Sequence, residues 1–405
     1  MKIAFLADTH LGYAAKCPTD PESGINQRVL DGYKGFRETI TQILEENVDA
    51  VVHGGDLFHR SHPTITDIVF ARQQLSRLSA ANIPFYGNTG NHDFANERGR
   101  YPATAAVNDP DRNIFMLTGP EQTFTLDDTT KLVMISHVGV IASNKKIVPE
   151  PDSEHQNIFT THGAAAVPGH EMFTCADSPG EAVIDYSTLT LPWDITLLGH
   201  YHQMGPLPGF DHGGTGQAWY AGSLLRRGFS DKEGGRGWLL IHTDTAGTGT
   251  VKTERKTVHQ RPQHDLPLID AEQMNATEVE EAIIYNLTNI DTAEAIIRQR
   301  VINIPLPIRR TINSKKLKQL TTDALIWQPE YIRPTQDNPY LDLNETETSA
   351  TSLATAKASD LPHMWNTWFD QHHTDNTIPE NISPTVKTTG ETLLKKVSET
   401  EENTA

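Results

Sequence analysis

Short apolar runs alternate with amphipathic stretches through the first two-thirds of the chain, the pattern of a layered α/β architecture. Lys2–Ala7 (KIAFLA) is rich in strand formers and stops at Asp8. Gln27–Asn47 then places Val29, Tyr33, Phe36, Ile40, Ile43 and Leu44 at helical intervals, so one face of a helix is apolar. Ala50–Val52 predicts a second buried strand, closed by Gly54 and Gly55. A second helix is expected over Ile65–Ala81, entered after Pro63, with Ile68, Val69, Leu75 and Leu78 along one side. Ile83–Tyr86 reads as a third strand. Further on the strands crowd together: Asn113–Leu117, Thr123–Leu126, Lys131–Ser136, Asn157–Thr160, Asp194–Leu198, Ala218–Tyr220, Gly237–His242 and Thr250–Val258. Two long connections, Val140–Gln156 and Gly163–Thr188, interrupt this β-heavy half.

The pattern changes around Gln260–Leu266, which marks a domain boundary. Thr277 with Glu280 fits a capping box ahead of a helix over Val279–Leu287. Arg300–Ile308 reads as a strand and Ser314–Leu325 as a lysine-rich helix, together a small α+β unit ending near Pro334. The expected division is therefore 1–260, 261–335 and a tail, 336–405. The tail is poor in aliphatics and carries twelve acidic residues against four lysines, the composition of a disordered segment. Leu361–Phe369 (LPHMWNTWF) stands apart from it. The segment reads either as tolerated tail sequence or as a short helix that docks on a partner with Trp365, Trp368 and Phe369 as anchors, and an aromatic anchor between disordered flanks favours the second.

Charge and cysteine content narrow the classes. The formal net charge of −18 argues against a globally basic nucleic-acid binder, though a local basic groove remains compatible with it. Two cysteines, Cys17 and Cys175, exclude a disulfide framework and a cysteine-built zinc site. No apolar run approaches the roughly 18 residues of a membrane helix. The N-terminus reaches Asp8 too early for a signal-peptide apolar region, so a cytoplasmic chain is expected.

Five polar clusters each fall where a strand gives way to a loop: Asp8-Thr9-His10, Gly55-Asp56-Leu57-Phe58-His59, Gly90-Asn91-His92-Asp93, Thr161-His162-Gly163 and Gly199-His200-Tyr201-His202. In open α/β sheets ligands bind where strand ends converge. Taken singly, each cluster is a polar turn as readily as a site. Together, and in this order, they supply carboxylate, amide and imidazole donors and no thiolate, a mixture that suits Mn²⁺, Fe²⁺ or Zn²⁺. His137 also follows a strand and competes with His162 for the fourth position. His53, His62, His155, His170 and His212 read as polar loop residues.

Asp8-x-His10, Gly55-Asp56, Gly90-Asn91-His92-Asp93, His162 and Gly199-His200-x-His202 resemble the motif set of the calcineurin-like metallophosphoesterases. Three further features resemble the SbcD-type DNA repair nucleases among them: Ala7–Tyr13 (ADTHLGY), Gly55–Thr64 (GDLFHRSHPT), and Tyr220–Ser230 (YAGSLLRRGFS) followed by a GWLLIH strand. The resemblance implies a two-sheet α/β sandwich flanked by helices, with a small α+β capping domain after it. It implies two divalent ions, most naturally Mn²⁺: one held by Asp8, His10 and His202, the other by Asn91, His162 and His200, with Asp56 between them. It also implies a transition-state or leaving-group role for His92, orientation of His92 by Asp93, and a second histidine near the phosphate, His59.

The activity implied is that of a metal-dependent DNA nuclease subunit, a 3′→5′ exonuclease and structure-directed endonuclease working with an SMC-like ATPase on DNA ends or hairpins. The resembling helices, Gln27–Asn47 and Ile65–Ala81, imply a homodimer, and the tail aromatics a docking site on the ATPase. Arg226, Arg227, Arg309, Arg310, Lys315 and Lys316 are the candidate phosphate contacts; an ordinary solvated surface is the alternative for all of them. Two other functions stay open: a phosphodiesterase acting on a small nucleotide or phosphoprotein, and a DNA-end scaffold with vestigial hydrolysis.

Overall fold

The computed structural model describes residues 1–94, 101–143, 151–169, 182–210, 217–229, 231, 235–243, 251–334, 365–366, 369 and 385–392. The chain divides into two units. One comprises Met1–Leu266, Leu287–Arg298 and Lys315–Gln328, the other Pro267–Asn286, Gln299–Ser314 and Pro329–Ala405.

The first unit opens with β1 (Lys2–Leu6), α1 (Gln27–Glu46), β2 (Ala50–His53), α2 (Ile65–Ala80), β3 (Phe85–Gly87) and β4 (Ile114–Met116). There follow β5 (Glu121–Asp127), β6 (Thr130–Ile135), α3 (His137–Ala142), β7 (Gln156–His162), β8 (Ala164–Ala165), β9 (Val183–Ile184) and α4 (Tyr186–Leu189). The series ends with β10 (Ile195–Gly199), β11 (Gly205–Pro206), β12 (Gln217–Tyr220), β13 (Gly237–Thr243) and β14 (Val251–Thr257). Two six-stranded sheets result, ordered β14-β13-β1-β2-β3-β4 and β11-β12-β10-β7-β6-β5. This is the helix-flanked two-sheet sandwich that the motif resemblance implies.

The period-2 alternation of strand side chains explains the layering. Ile3, Phe5 and Ala7 of the first strand and its exit share a core with Leu132, Met134, Ile195 and Leu197 of the second sheet. Ala4 and Leu6 turn the other way, onto Phe36, Ile40 and Leu75 of the helices. Both faces of β1 are therefore buried, which is why it reads as an unbroken apolar run. The outer face of the second sheet carries its own cluster, with Val133, Ile135, Phe159, Trp193 and Leu198.

The helices α1 and α2 are tied together as well as to the sheet. The Tyr33 ring stacks on Phe70 at 4.0 Å, and its hydroxyl donates to Asp67 Oδ1 at 2.6 Å. Asp67 also completes a capping box with Thr64 at the start of α2. On the outer side of that helix Ile65 is 77% and Val69 47% exposed.

Beyond β14 the sequence expectation needs three corrections. The helix α5 (Ala276–Thr288) is capped by Asn275 and Glu278, not by Thr277 and Glu280: Asn275 Oδ1 accepts the Thr277 and Glu278 amides, and Glu278 Oε2 accepts the Asn275 amide. The strand placed at Arg300–Ile308 is β17 (Ile296–Ile302), preceded by β15 (Gln263–Asp265) and β16 (Ile269–Asp270), and the chain then turns into α6 (Leu306–Thr311). Pro305 and Pro307 fall at the start of that helix, where the fixed proline φ and missing amide cost nothing. The lysine-rich helix α7 (Ser314–Leu320) stops short of Leu325 because Thr321 and Thr322 turn their hydroxyls back onto the Leu317 and Gln319 carbonyls. The sequence pattern left β18 (Ile326–Tyr331) unassigned.

In the first unit, Gln263–Asp265 pairs parallel with Ile296–Arg298, and Arg298 forks onto Asp265 at 3.0 and 2.7 Å. In the second unit, Ile269 and Asp270 pair parallel with Val301 and Ile302. Of the tail aromatics, Trp365 donates its indole N–H to the Lys387 carbonyl at 2.9 Å and lies 5.7 Å from the Phe369 ring. Phe369 is 2% exposed. Trp368 lies outside the described residues. No helix among those described is long and apolar enough to cross a membrane.

Candidate metal centre

Strand register gathers the polar clusters at one edge of the sandwich. In the first sheet Leu6 pairs with His53 and His53 with Gly87, so the residues just past them emerge together. In the second sheet Gly199 pairs with His162, which aligns the exits of β10 and β7. Past the strand ends, the loops after β1 and β2 stay laddered: Asp8, His10 and Leu11 donate amides to the Gly55, Asp56 and Leu57 carbonyls at 2.9–3.0 Å. That ladder holds three non-glycine residues in left-handed backbone, Asp8 (φ 50°), His10 (φ 48°) and Asp56 (φ 56°). Such conformations cost about 1–3 kcal/mol each and persist where surroundings enforce them, commonly at functional sites. Gly55 (φ +100°) admits the approach of the second sheet: a Cβ there would meet His162 Nδ1 at 2.6 Å.

The donors converge in three overlapping groups, one of them His10 with His59 and His92. His10 Nε2 lies 3.3 Å from His202 Nε2, and Asp8 Oδ1 lies 3.8 Å from the first and 3.9 Å from the second. Asp56 Oδ2 is 3.6 Å from His10 Nε2 and 3.5 Å from His162 Nε2, between the two rings. Asn91 Oδ1 is 3.0 Å from His162 Nε2. His200 donates its amide to Asp8 Oδ2 at 2.9 Å and sets its ring edge-on to His162 at 5.3 Å. Asp8, His10 and His202, and likewise Asp8, Asp56 and His162, lie close enough to share one ion each.

The electrostatics ask for a cation. Asp8 Oδ1 is buried with no hydrogen-bond partner among the described residues. Burial pushes the Asp8 carboxyl up, and it drives the His10 imidazole well below its ordinary value. Burial opposes ionisation of Asp56 too, yet His162 beside it, with His10 and His92, holds that carboxylate well below its usual range. His162 is the reciprocal case: burial lowers it, but Asp56 and Asp8 bring it up to about 9. A lone buried carboxylate oxygen among facing imidazole nitrogens is a donor set fitted to a divalent metal of intermediate hardness.

His137 and His162 are separated by the geometry. The His162 Nδ1 donates to the Gly54 carbonyl at 2.9 Å, which turns Nε2 toward Asp56 and Asn91. His137 packs behind it, ring centroids 6.2 Å apart, and burial lowers it to about 4.

The Asp93 carboxylate bonds away from the His92 ring among the described residues. Its two oxygens accept the amides of Leu57 (3.2 Å), Phe58 (2.8 Å) and Gly90 (3.1 Å), so it braces the second-motif and third-motif loops against each other. Burial and the Asp56 charge push its carboxyl up to about 7. The group that orients His92 is the His59 carbonyl, while the His59 and His92 rings stack at 5.2 Å. Burial lowers His59 to about 4.

His53 is no loop residue. It is fully buried at the end of β2, accepting the Gly55 amide on Nδ1 at 3.2 Å and contacting Thr9 Oγ1 through Nε2 at 2.8 Å. It thus pins the residue beside Asp8 and the residue beside Asp56. Its position directly before Gly54-Gly55-Asp56 in an otherwise apolar strand was the available signal. His155 pairs with Asp152 at 3.2 Å, His62 is exposed, and His170 and His212 lie outside the described residues.

Of the candidate phosphate contacts, Arg227 turns toward the centre, its Nη2 2.7 Å from His202 Nε2. Arg226 spends its guanidinium on the carbonyls of Asp231 and Gln263, at 3.0 and 3.2 Å, and acts as a structural tie. Arg309 and Arg310 are exposed on α6, Arg309 over the Tyr331 ring at 5.4 Å. Lys315 and Lys316 are exposed on α7.

A two-sheet sandwich with clustered aspartate and histidine donors at one sheet edge defines a metal-dependent phosphoester hydrolase. The family model for the calcineurin-like phosphoesterases matches residues 1–204, and the chain belongs to that family. Its relatives include proteins named DNA double-strand break repair protein Mre11. That of Methanosarcina mazei is 28% identical over 279 residues, covering 64% of this chain and 39% of its own length. That of Halobacterium salinarum is 28% identical over 268 residues, covering 64% and 61%. The chain thus spans about two-fifths to three-fifths of these relatives. Among solved structures, a dimetal phosphatase from Danio rerio is similar at 12% identity and a TM-score of 0.35, over 60% of this chain and 92% of that one. The nuclease MPE of Pseudomonas putida is similar at 15% identity and a TM-score of 0.22, over 41% and 64%.

Proposed function

We propose that this chain is the Mn²⁺-dependent nuclease subunit of a DNA repair or recombination complex, a 3′→5′ exonuclease on duplex DNA and an endonuclease on single-stranded or structured DNA. One observation carries the reading. Relatives named for double-strand break repair are similar over 64% of the chain, whereas the general phosphoesterase family accounts for residues 1–204. A stretch of that length takes in Tyr220–Ser230 and β13, the features beyond the common motifs.

In this reading Asp8, His10 and His202 hold one ion, Asn91, His162 and His200 the other, and Asp56 both. Bound there, the ions supply charge neutralisation of the phosphodiester and activation of water for in-line attack. His92 keeps its Nδ1 proton on the His59 carbonyl, which leaves Nε2 to exchange a proton with the leaving oxygen. Arg227 receives a phosphate oxygen at the mouth of the centre. Residues 1–260 form the nuclease domain and 261–335 its cap, with Arg309, Arg310, Lys315 and Lys316 following the DNA backbone. The outer face of α2 pairs two copies, and Trp365, Trp368 and Phe369 dock on an SMC-like ATPase.

The test is nucleotide release from end-labelled linear duplex DNA in Mn²⁺, with and without the ATPase. Progressive shortening that stops on chelation is expected. Intact DNA alongside Mn²⁺-dependent hydrolysis of a cyclic nucleotide or a phosphopeptide would overturn the nuclease reading.

A further inference from the structure

His202 is gripped from behind by the segment that follows β12. Asp231 Oδ1 lies 3.4 Å from His202 Nδ1, and Asp231 Oδ2 accepts the Arg227 main-chain amide at 2.9 Å. An ionised carboxylate only accepts, so Nδ1 carries the ring proton and Nε2 the lone pair. Nε2 is the nitrogen that faces His10, and the one Arg227 Nη2 approaches at 2.7 Å. The same Nη2 passes 3.1 Å from Nδ1, but a guanidinium offers protons alone and adds no bond to a protonated nitrogen. Arg236, 3% exposed, donates to the His202 carbonyl and to Ser223 Oγ, fixing the main chain beneath the ring.

The other ion's imidazole is built differently. His162 Nδ1 donates to a peptide carbonyl, that of Gly54, at 2.9 Å. One ring nitrogen thus faces a carboxylate and the other a peptide carbonyl. A carboxylate behind a metal-bound imidazole fixes its tautomer and raises its basicity, and loss of such a partner commonly weakens binding about 10–100-fold.

Resting on the ligand assignment proposed above, we infer that Asp231 is a positioning residue for the metal centre: it orients His202 so that Nε2 faces the ion shared with Asp8 and His10, and thereby strengthens binding at that position. Asp231 serves one ion and leaves the other untouched.

Mn²⁺ titration of the full chain, followed by calorimetry and by electron paramagnetic resonance, tests this in the wild type, Asp231→Ala and Asp231→Asn. Asp231→Ala should weaken one of the two sites about 10–100-fold and leave the other at its wild-type affinity, which serves as the control for folding. Asp231→Asn, whose amide oxygen still accepts from the ring without the charge, should fall between. Wild-type affinity at both sites in Asp231→Ala overturns the inference. So does parallel weakening of both together with a lowered melting temperature of the cation-free protein, the mark of a purely structural residue. A wild-type chain that takes up fewer than two ions fails the underlying metal assignment instead, a result distinguishable from an unchanged variant.

Discussion

The His92 side chain hangs from the His59 main chain: its Nδ1 donates to the His59 carbonyl oxygen at 2.9 Å. The bond belongs to the backbone, so it survives any substitution of the His59 ring. It also frees Asp93 for a different task, the bracing of three loop amides.

The two neighbours should therefore fail differently. His92→Ala should retain two metals per chain by elemental analysis and lose about 10²–10⁴ in hydrolysis rate, the usual worth of a positioned acid. Asp93→Ala should instead lower the melting temperature, since each buried amide left without a partner costs about 1–3 kcal/mol. Loss of one metal from His92→Ala would make that residue a ligand.

Asp56→Asn should abolish hydrolysis. Its Oδ2 lies between His10 and His162, so removing the charge weakens both proposed metal positions at once. Near-full Mn²⁺-dependent activity in this variant would contradict a dinuclear centre.

Gly55→Ala adds a single methyl group, but one that meets His162 Nδ1 at 2.6 Å on a backbone with φ of +100°. Displacement of the His162 ring should cost metal at the position it shares with Asn91. Full metal content, with a melting temperature unchanged within a degree or so, would show that the loop adapts.

Assembly is the fourth test. Replacing exposed Ile65 and Val69 together by glutamate should yield a monomer by light scattering at micromolar concentration, with hydrolysis of a small artificial phosphodiester unchanged. A wild-type chain already monomeric under those conditions would mean that the α2 face is ordinary solvent-exposed surface.

Deleting Gln336–Ala405 should spare hydrolysis of the same small phosphodiester, because every proposed ligand precedes residue 203. Association with the ATPase and ATP-stimulated processing of duplex ends should be lost. Unchanged affinity for the ATPase would reduce the tail to a solubilising extension.

The layered α/β elements were legible because strand burial and helix amphipathicity are periodic, whereas the two-sheet arrangement was legible only through the motif resemblance. Both faces of β1 meet apolar layers, and α1 shows its buried stripe at Phe36, Ile40 and Ile43. The chemical residues were legible because each motif follows a strand exit. What the residue order hides is which partner a side chain chooses. Asp93 adjoins His92 in the chain, yet it bonds Leu57, Phe58 and Gly90 across two loops. His53 lies on a strand and looks like a polar interruption until Thr9 and Gly55 are seen around it. Asp231 is separated from His202 by a run in which nothing marks it as a partner. Beyond β14, Arg300–Ile308 combines strand and helix in nine residues, with Pro305 and Pro307 starting the helix.

The convergence of the proposed ligands from both sheets has a mechanical meaning. Asp8, His10, Asp56 and Asn91 leave β1, β2 and β3, whereas His162, His200 and His202 leave β7 and β10. Midway along the strands the two sheets adhere through Phe5, Leu132, Met134 and Leu197. At the candidate metal edge that grease is replaced by charged and polar side chains, and ions held there as proposed would act as rivets across the seam. Riveting contributes cohesion that scales with free cation, about 2.7 kcal/mol at a hundredfold excess over the dissociation constant. Withdrawal of metal from the proposed centre would then loosen the sheets from that edge inward, so that scarcity of the ion would remove the protein as well as its activity.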